Sequence, residues 1–266
     1  MSSTERATLF IDADNTLWDT NAVFADAQLA LLADVEAAVG VAVGGKSDLA
    51  FVRSVDQAIA ARHHAGLRYP VALLIRGLEL SLGGLPAEAA ARAAWSGGRS
   101  FQIDEQAVKN IEHRYFGRLS AQPAIRNGVA EGLDWLRAQN ALLFVVTEGA
   151  KTKVEATAER LGLADYFERL IAAPKSPDLY RRVLRLAGTP QMAFMVGDQL
   201  DRDIGPAKSA GLRTIYFPGG FQPKWLPGVS EVNPDYIISS FLEVADIIEH
   251  EARLKASKRD GAPKPD

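Results

Sequence analysis

The chain has 266 residues, of which 47% are hydrophobic and 24% are charged, and this composition is typical of a globular protein with one or two domains. Its formal net charge of −3 argues against a general nucleic-acid-binding protein, which usually carries a basic surface. The absence of cysteine excludes disulfide bonds, thiolate catalysis and cysteine-ligated metal centres.

The chain begins with polar residues that lead into a short apolar run. The first ten residues, MSSTERATLF, lack the basic-then-apolar order of a signal peptide, and no apolar run is long enough to cross a bilayer. We therefore expect a cytoplasmic protein without a membrane partner. Residues 7–11, ATLFI, predict a buried strand that ends in Asp12 and Asp14. Two carboxylates so close together need a partner cation to ionise cheaply, although a polar turn would also place them here.

Residues 19–121 predict an all-helical unit inserted after the first strand. Its apolar residues recur at helical spacing in NAVFADAQLALLADVEAAV, and later helical segments are separated by Gly, Pro and Ser. His63, His64, Arg68 and Arg76 make its middle section basic. This pattern favours either a solvated helix face or a surface that meets an anionic group.

Within this unit, residues 40–47, GVAVGGKS, fit the Walker A pattern of nucleotide-binding loops. Lys46 and Ser47 would then contact phosphates. However, a Walker loop follows a buried strand, whereas LLADVEAAV before it is helical and acidic. A glycine-rich connection, with Ser47 as the cap of the next helix, is the alternative interpretation.

Residues 122–250 predict alternating strands and helices, which together with 1–18 form an α/β core. The apolar runs ALLFVV, MAFMVG, TIYF and DYIIS read as parallel strands covered on both faces. VAEGLDWLRAQ, KVEATAERLGL and PDLYRRVLRLAG read as the helices between them. The polar, Pro-rich residues 251–266 predict a flexible C-terminal tail.

Residues suited to phosphate chemistry follow several of the predicted strands. Thr147 follows ALLFVV, Asp198 and Asp203 follow MAFMVG, and Lys175 precedes the next helical segment. Ligands of parallel α/β sheets bind beyond the carboxyl ends of the strands, so these groups are expected in one crevice with the first two aspartates. Such a carboxylate cluster favours a hard divalent cation such as Mg²⁺.

In its sequence motifs the chain resembles the haloacid dehalogenase superfamily of hydrolases. DADNTL at 12–17 matches the pattern D-x-D-x-T, Thr147 of VVTEG and Lys175 match the second and third motifs, and GDQLDRD at 197–203 matches G-D-x-x-x-x-D. The resemblance implies a Rossmann-like parallel-sheet core with a helical cap in the first insertion position. It covers roughly 7–18 and 122–246, with the insertion as the cap.

The resemblance also implies a role for each motif residue. Asp12 would be the nucleophile that forms an aspartyl-phosphate, and Asp14 would be the general acid and base. Thr147 and Lys175 would bind the phosphoryl group. Glu148 stands where many relatives have Asn or Ser. It would contact substrate through its backbone N–H alone, or its side chain would add negative charge to the crevice.

The implied metal ion is Mg²⁺, held by Asp12, the backbone carbonyl of Asp14, and Asp198. Asp203 belongs to the same acidic set, and the resemblance implies that it orients metal-bound water or Lys175.

The implied function is Mg²⁺-dependent hydrolysis of a small phosphorylated metabolite, such as a sugar phosphate, a phosphoglycolate-like acid or a nucleoside monophosphate. Because Asp14 is present, dehalogenation and phosphonate cleavage are disfavoured within the family. A phosphomutase, a non-catalytic binding protein on the same fold and a P-loop NTPase are the alternatives. We expect a monomer or a homodimer with no nucleic-acid partner.

Overall fold

The computed structural model describes residues 6–43, 48–64, 68–97 and 100–260. The chain divides after Thr20 and after Gln122 into two compact units. We call the unit that contains both outer chain segments the α/β unit, and the unit between Asn21 and Gln122 the helical unit.

The α/β unit is built on a parallel sheet of six strands in the order β3-β2-β1-β4-β5-β6. The strands are β1 (Ala7–Ile11), β2 (Leu142–Thr147), β3 (Arg169–Ala172), β4 (Met192–Gly197), β5 (Arg213–Tyr216) and β6 (Tyr236–Ile237). The order reverses at β1, which lies between β2 and β4. In a doubly wound sheet, such a reversal opens a crevice at the carboxyl ends of the strands.

The apolar runs form strands because both faces of the sheet are covered. Leu9 and Ile11 pack into the core on one face, while Phe10 between them packs with Tyr180 and Met195 on the other. All three β1 residues are fully buried. This period-2 division of an entirely apolar run is typical of parallel strands between helix layers.

The helical unit contains a separate hydrophobic core, so it buries apolar surface of its own. Its helices are α1 (Thr20–Val39), α2 (Asp48–Ala60), α3 (Val71–Leu82), α4 (Ala87–Ser96) and α5 (Glu105–Arg118). Leu31, Val55 and Leu78 are among the residues of this core. Helix α5 begins at a capping aspartate, Asp104, whose side chain accepts the Ala107 N–H at 2.7 Å. The predicted α/β class with an inserted all-helical unit is thus confirmed.

The α/β unit adds helices α6 (Val129–Ala138), α7 (Lys151–Arg160), α8 (Pro177–Leu186), α9 (Gly205–Ser209), α10 (Val229–Val232) and α11 (Glu243–Asp260). It also has a 3₁₀ turn at Ala164–Tyr166 and a π-helical turn at Leu200–Ile204. Helix α8 begins as its sequence indicates, with Ser176 Oγ accepting the Leu179 N–H at 3.2 Å and Pro177 in the first turn.

The last helix extends into the segment for which the sequence predicts a tail. Helix α11 continues to Asp260, whereas the sequence predicts a flexible tail from residue 251. Glu251 is buried, and its carboxylate accepts hydrogen bonds from Tyr236 and from Arg213, the latter at 2.7 Å. These contacts hold α11 at Glu251 against the β5–β6 edge of the sheet.

The basic section of the helical unit contains one side chain that is not solvated. Arg76 is buried, and its guanidinium donates to Glu79 at 3.2 Å, to Glu105 at 2.6 Å and to the carbonyl of Ile103. A buried arginine paired in this way belongs to the interior of the unit. The solvated-face interpretation therefore does not apply to Arg76.

The described part of the Walker-like segment follows helix α1, and no strand precedes it there. The acidic side chain of Glu36 in this helix accepts the Val43 N–H at 2.7 Å. Lys46 and Ser47 lie outside the described residues. A P-loop requires a strand before its glycines, so the helix argues against nucleotide binding at this segment. Across the described ranges, none of the helices combines the length and apolar character needed for a transmembrane span.

Candidate active site

Three neighbouring strands of the sheet end in the predicted site residues. Asp12 follows β1, Thr147 is the last residue of β2, and Asp198 follows β4. Since β1 pairs in parallel with both β2 and β4, these three positions meet at one edge of the sheet. The sheet topology therefore brings these three residues together at the carboxyl ends of the strands.

A lysine joins two of the carboxylates. The Lys175 ammonium donates to Asp12 Oδ1 and, at 2.5 Å, to Asp203 Oδ1. All three side chains are buried, and Thr16 Oγ1 donates to the other oxygen of Asp12 at 3.2 Å. Lys175 is thus fixed between the first and fourth motifs.

Burial and the neighbouring charges shift the pKa values of both Asp12 and Lys175. Burial raises the pKa of Asp12 to about 7, while the Lys175 ammonium acts to lower it. Burial acts to lower the pKa of Lys175, but the Asp12 and Asp203 carboxylates outweigh it and raise that pKa above its ordinary value. Lys175 is therefore a cation at neutral pH, and it compensates part of the negative charge at the strand ends.

Asp198 is a further carboxylate of the site, and Lys175 and Arg126 compensate its charge only in part. It is buried, and its Oδ1 has no hydrogen-bond partner among the described residues. Burial and the nearby Asp12 and Asp203 charges raise the pKa of Asp198 well above its ordinary range. Unpaired buried carboxylates are costly unless a cation accompanies them.

The acidic set fits a divalent cation. Asp12, Asp198 and Asp203 each place a carboxylate oxygen within 4.8 Å of the others. Carboxylate oxygens are the ligands that Mg²⁺ and similar hard ions prefer. The partnerless oxygen of Asp198 is an open ligand position, so the residues present suit such an ion.

Asp14 is near this set, but its carboxylate has other partners. Its Oδ1 accepts hydrogen bonds from Trp18 Nε1 at 3.0 Å and from Thr20 Oγ1 at 2.7 Å. Asn15 directly after it adopts a left-handed conformation with φ of 62°, which begins the turn that brings Trp18 back to Asp14. Trp18 is fully buried, so it both packs in the core and orients this carboxylate.

Thr147 is positioned to donate a hydrogen bond. Its buried hydroxyl oxygen accepts the Gly149 N–H at 2.9 Å, which fixes the side chain. Since a hydroxyl that accepts one bond still carries its proton, Thr147 can donate to an oxygen in the crevice.

Glu148 does not leave its charge unpaired. Its Oε1 accepts the backbone N–H of Lys175 at 2.8 Å, and its Oε2 accepts from the Arg202 guanidinium. Burial acts to raise the pKa of Glu148, but these two partners lower it below its ordinary value. Of the two interpretations left open by the sequence, added unpaired negative charge is therefore disfavoured.

Sequence reasoning missed Arg126, which lies where the chain re-enters the α/β unit. Its guanidinium donates to the backbone carbonyls of Asn15 and Phe217 and, at 2.7 Å, of Pro218. It connects the turn after Asp14 to the loop after β5. Its hydrogen-bond partners are backbone carbonyl oxygens, so no pattern of residue types in the sequence indicated the role of Arg126.

The remaining sequence candidates lie in the helical unit. His63 and His64 stack with ring centroids 4.3 Å apart, and His63 contacts the Trp95 ring edge-on at 5.0 Å. Arg68 is exposed. These residues are part of a different compact unit from the motif residues.

Comparisons with known proteins identify a family and several relatives. The family model of haloacid dehalogenase-like hydrolases matches residues 7–211. A phosphoglycolate phosphatase of Nitrosococcus oceani is 26% identical over 145 residues, which are 52% of this chain and 63% of that protein. A glyceraldehyde 3-phosphate phosphatase of Pyrococcus furiosus is 27% identical over 131 residues, which are 47% of this chain and 54% of that protein. This chain thus spans less than two thirds of the length of these curated relatives.

The fold also has relatives among solved structures. The magnesium-bound hydrolase YfnB of Bacillus subtilis superposes with a TM-score of 0.60 at 22% identity, covering 92% of this chain and 99% of that one. At this identity the likeness concerns the fold.

Proposed function

The chain belongs to the haloacid dehalogenase-like hydrolase family, and we propose that it is a Mg²⁺-dependent phosphatase that acts on small phosphate monoesters through an aspartyl-phosphate. The observation that carries this proposal is the placement of the Lys175 ammonium between Asp12 and Asp203, beside the partnerless buried oxygen of Asp198. This arrangement compensates the negative charge of the proposed nucleophile, Asp12, and leaves one oxygen of Asp198 available to bind a cation.

Asp12 is the proposed nucleophile. One of its carboxylate oxygens would attack phosphorus, and the bond from phosphorus to the ester oxygen would break. Thr16 and Lys175 each hold one Asp12 oxygen in place, which supports a fixed direction of attack.

Asp14 is the proposed general acid and base. It would give its proton to the departing ester oxygen, then take a proton from the water that attacks the aspartyl-phosphate. That second attack releases inorganic phosphate and restores the Asp12 carboxylate. The hydrogen bonds from Trp18 and Thr20 support this role because they hold the Asp14 carboxyl in one orientation.

Lys175 and Thr147 would stabilise the phosphoryl group in the transition state of its transfer. The cationic Lys175 offsets the charge that spreads over the phosphoryl oxygens, and the Thr147 hydroxyl donates a hydrogen bond to one of them. Both side chains are already fixed and buried, so little reorganisation is needed when the reaction occurs.

Mg²⁺ would be held by Asp12, Asp198 and the backbone carbonyl of Asp14. When bound, the ion supplies positive charge that stabilises the transferring phosphoryl group. Asp203 is assigned to holding Lys175, since its Oδ1 accepts from Lys175 and its Oδ2 accepts the Gln199 N–H at 2.9 Å.

The proposed substrates are small phosphorylated metabolites. Two of the relatives are a phosphoglycolate phosphatase and a glyceraldehyde 3-phosphate phosphatase, and these two substrates are a compact acid and a compact aldehyde with one phosphate each. The helical unit is the proposed substrate-selecting cap.

Hydrolysis of p-nitrophenyl phosphate by the purified protein tests this proposal. We expect release of inorganic phosphate that requires Mg²⁺, stops with EDTA, and falls at least about 10³-fold in Asp12→Asn. Asp178→Asn, which changes an exposed aspartate of α8, is the matched control and is expected to keep full activity. A screen of phosphoglycolate, glyceraldehyde 3-phosphate and nucleoside monophosphates follows. Turnover of none of these compounds would refute the phosphatase, and phosphoryl transfer between sugar carbons without release would indicate a mutase.

A further inference from the structure

The carboxylate of Glu148 connects three loops of the α/β unit. Glu148 follows β2, Lys175 lies between β3 and α8, and Arg202 lies in the π-helical turn after β4. Glu148 accepts from the backbone N–H of Lys175 and from the guanidinium of Arg202. A single side chain thus contacts the segments that carry the second, third and fourth motifs.

Glu148 contacts the backbone of Lys175, and this contact fixes the position from which the Lys175 side chain extends. At the other end, the Lys175 ammonium lies between Asp12 and Asp203. Asp203 is itself confined, because a Cβ at Gly197 would lie only 2.4 Å from its carboxylate, so the strand backbone and this side chain are in close contact. The Lys175 residue is thus held at both ends, by Glu148 at its backbone and by Asp12 and Asp203 at its ammonium.

The contact with Arg202 compensates the charge of Glu148. The Arg202 side chain is 50% exposed, and exposed ion pairs contribute little to stability. The pairing instead offsets a negative charge next to Thr147, where an anionic phosphoryl group is proposed to bind.

We propose that Glu148 is a positioning residue that holds the Lys175 backbone so that its ammonium meets Asp12, with Arg202 compensating the Glu148 charge. This inference rests on the proposed phosphatase function, and it assigns to Glu148 a role other than direct contact with substrate.

Steady-state kinetics of Glu148→Ala and Glu148→Gln test the proposal. In Glu148→Ala the Lys175 N–H loses its acceptor, and kcat for p-nitrophenyl phosphate should fall by roughly tenfold to a hundredfold, as for other small displacements of a reacting group. In Glu148→Gln the amide oxygen still accepts this N–H, so kcat should stay within about threefold of the wild type. Glu155→Ala removes a comparable glutamate from an exposed ion pair of α7 and is expected to leave kcat unchanged.

Hydrogen exchange of the Lys175 amide supplies a readout that does not depend on activity. It should be roughly tenfold or more faster in Glu148→Ala, and close to the wild-type rate in Glu148→Gln. Unchanged exchange and unchanged kcat in Glu148→Ala would overturn the proposal. Equal losses of kcat in the Ala and Gln variants would also overturn it, since a lost N–H acceptor could not be their cause. If the wild-type protein hydrolysed no phosphate ester, the phosphatase function would fail, and amide exchange would still decide whether Glu148 holds this loop.

Discussion

The guanidinium carbon of Arg126 lies 3.5 Å from the centroid of the Phe217 ring, directly over its face. From this position the same guanidinium reaches the carbonyls of Phe217 and Pro218 on one side and that of Asn15 on the other. The turn after Asp14 and the loop after β5 are therefore held together by one side chain. Gly219, next along that loop, packs against Asp198.

Arg126→Ala is expected to destabilise the protein by about 2 kcal/mol, because three backbone carbonyls lose a charged donor and the ring loses its stacked cation. Urea denaturation measures this change. Arg126→Lys should recover less than half of the loss, since an ammonium cannot reproduce the planar fork. Arg137→Ala is the control, because Arg137 also lies over a ring, that of Tyr166, but is exposed and should cost less. Equal costs at the two positions would contradict the assigned role.

Gly219→Ala is expected to weaken divalent-cation binding by roughly ten- to a hundredfold. A Cβ at this position would lie 2.5 Å from Asp198 Oδ2 and 3.0 Å from Asn15, so the carboxylate must move. Titration with Mn²⁺, followed by electron paramagnetic resonance, measures the affinity. Gly117→Ala is the control, because a Cβ there meets nothing within 4 Å. Wild-type affinity in Gly219→Ala would show that Asp198 is not a ligand in the position described.

Thr20→Val is expected to reduce kcat by about tenfold with little loss of stability. The substitution keeps the shape of the side chain but removes the hydroxyl that donates to Asp14 Oδ1 at 2.7 Å. Thr20→Ser restores a hydroxyl and should restore most of the activity. The kinetics of the two variants on p-nitrophenyl phosphate make the comparison, and a serine variant as slow as the valine variant would argue against orientation of Asp14 by Thr20.

Asp235→Ala is expected to cost about 1 to 2 kcal/mol of stability at neutral pH. Asp235 Oδ2 accepts from the backbone N–H and the hydroxyl of Thr214, both at 2.8 Å, which joins β5 to the chain leading into β6. Burial acts to raise the pKa of Asp235, but these hydrogen bonds and Lys208 lower it below the ordinary value of 3.8.

The pH dependence of this cost follows from the lowered pKa. The ionised Asp235 stabilises the folded state fully at a pH above its pKa in the unfolded chain. This contribution is lost as the pH falls through its lower pKa in the folded protein. The difference between wild type and Asp235→Ala should therefore shrink below about pH 4. Urea denaturation at neutral and acidic pH measures it, with Asp178→Ala as the exposed control. A difference that stays constant with pH would contradict this account.

The sequence predicted those features that depend on the order of apolar and polar residues. The runs that became β1, β2, β4 and β5 are rich in apolar residues, and the motif residues lie at or beyond the carboxyl ends of strands, which meet at one edge because the sheet is parallel. Strand β3 was not predicted, because Arg169–Ala172 is a short edge strand whose residues are only partly buried or exposed.

Two long-range contacts between a side chain and the backbone were not predicted from the sequence. Arg126 binds carbonyl oxygens, and Glu148 binds the N–H of Lys175. Backbone groups of this kind occur along the whole chain, so the residue types in the sequence do not indicate which of them a side chain will bind. The hydrogen bond from Trp18 to Asp14 depends on the left-handed turn at Asn15, which local composition does not specify.

The most direct test of the central claim is mass spectrometry of acid-quenched Asp14→Asn after mixing with p-nitrophenyl phosphate and Mg²⁺. The nitrophenolate leaves without protonation, so Asp12 should still be phosphorylated, whereas water attack should be slow without the Asp14 base. We predict a phosphoryl group on the peptide that contains Asp12, and none when Asp12→Asn is added. A phosphoryl group on another residue, or turnover by Asp12→Asn at the wild-type rate, would contradict nucleophilic catalysis by Asp12.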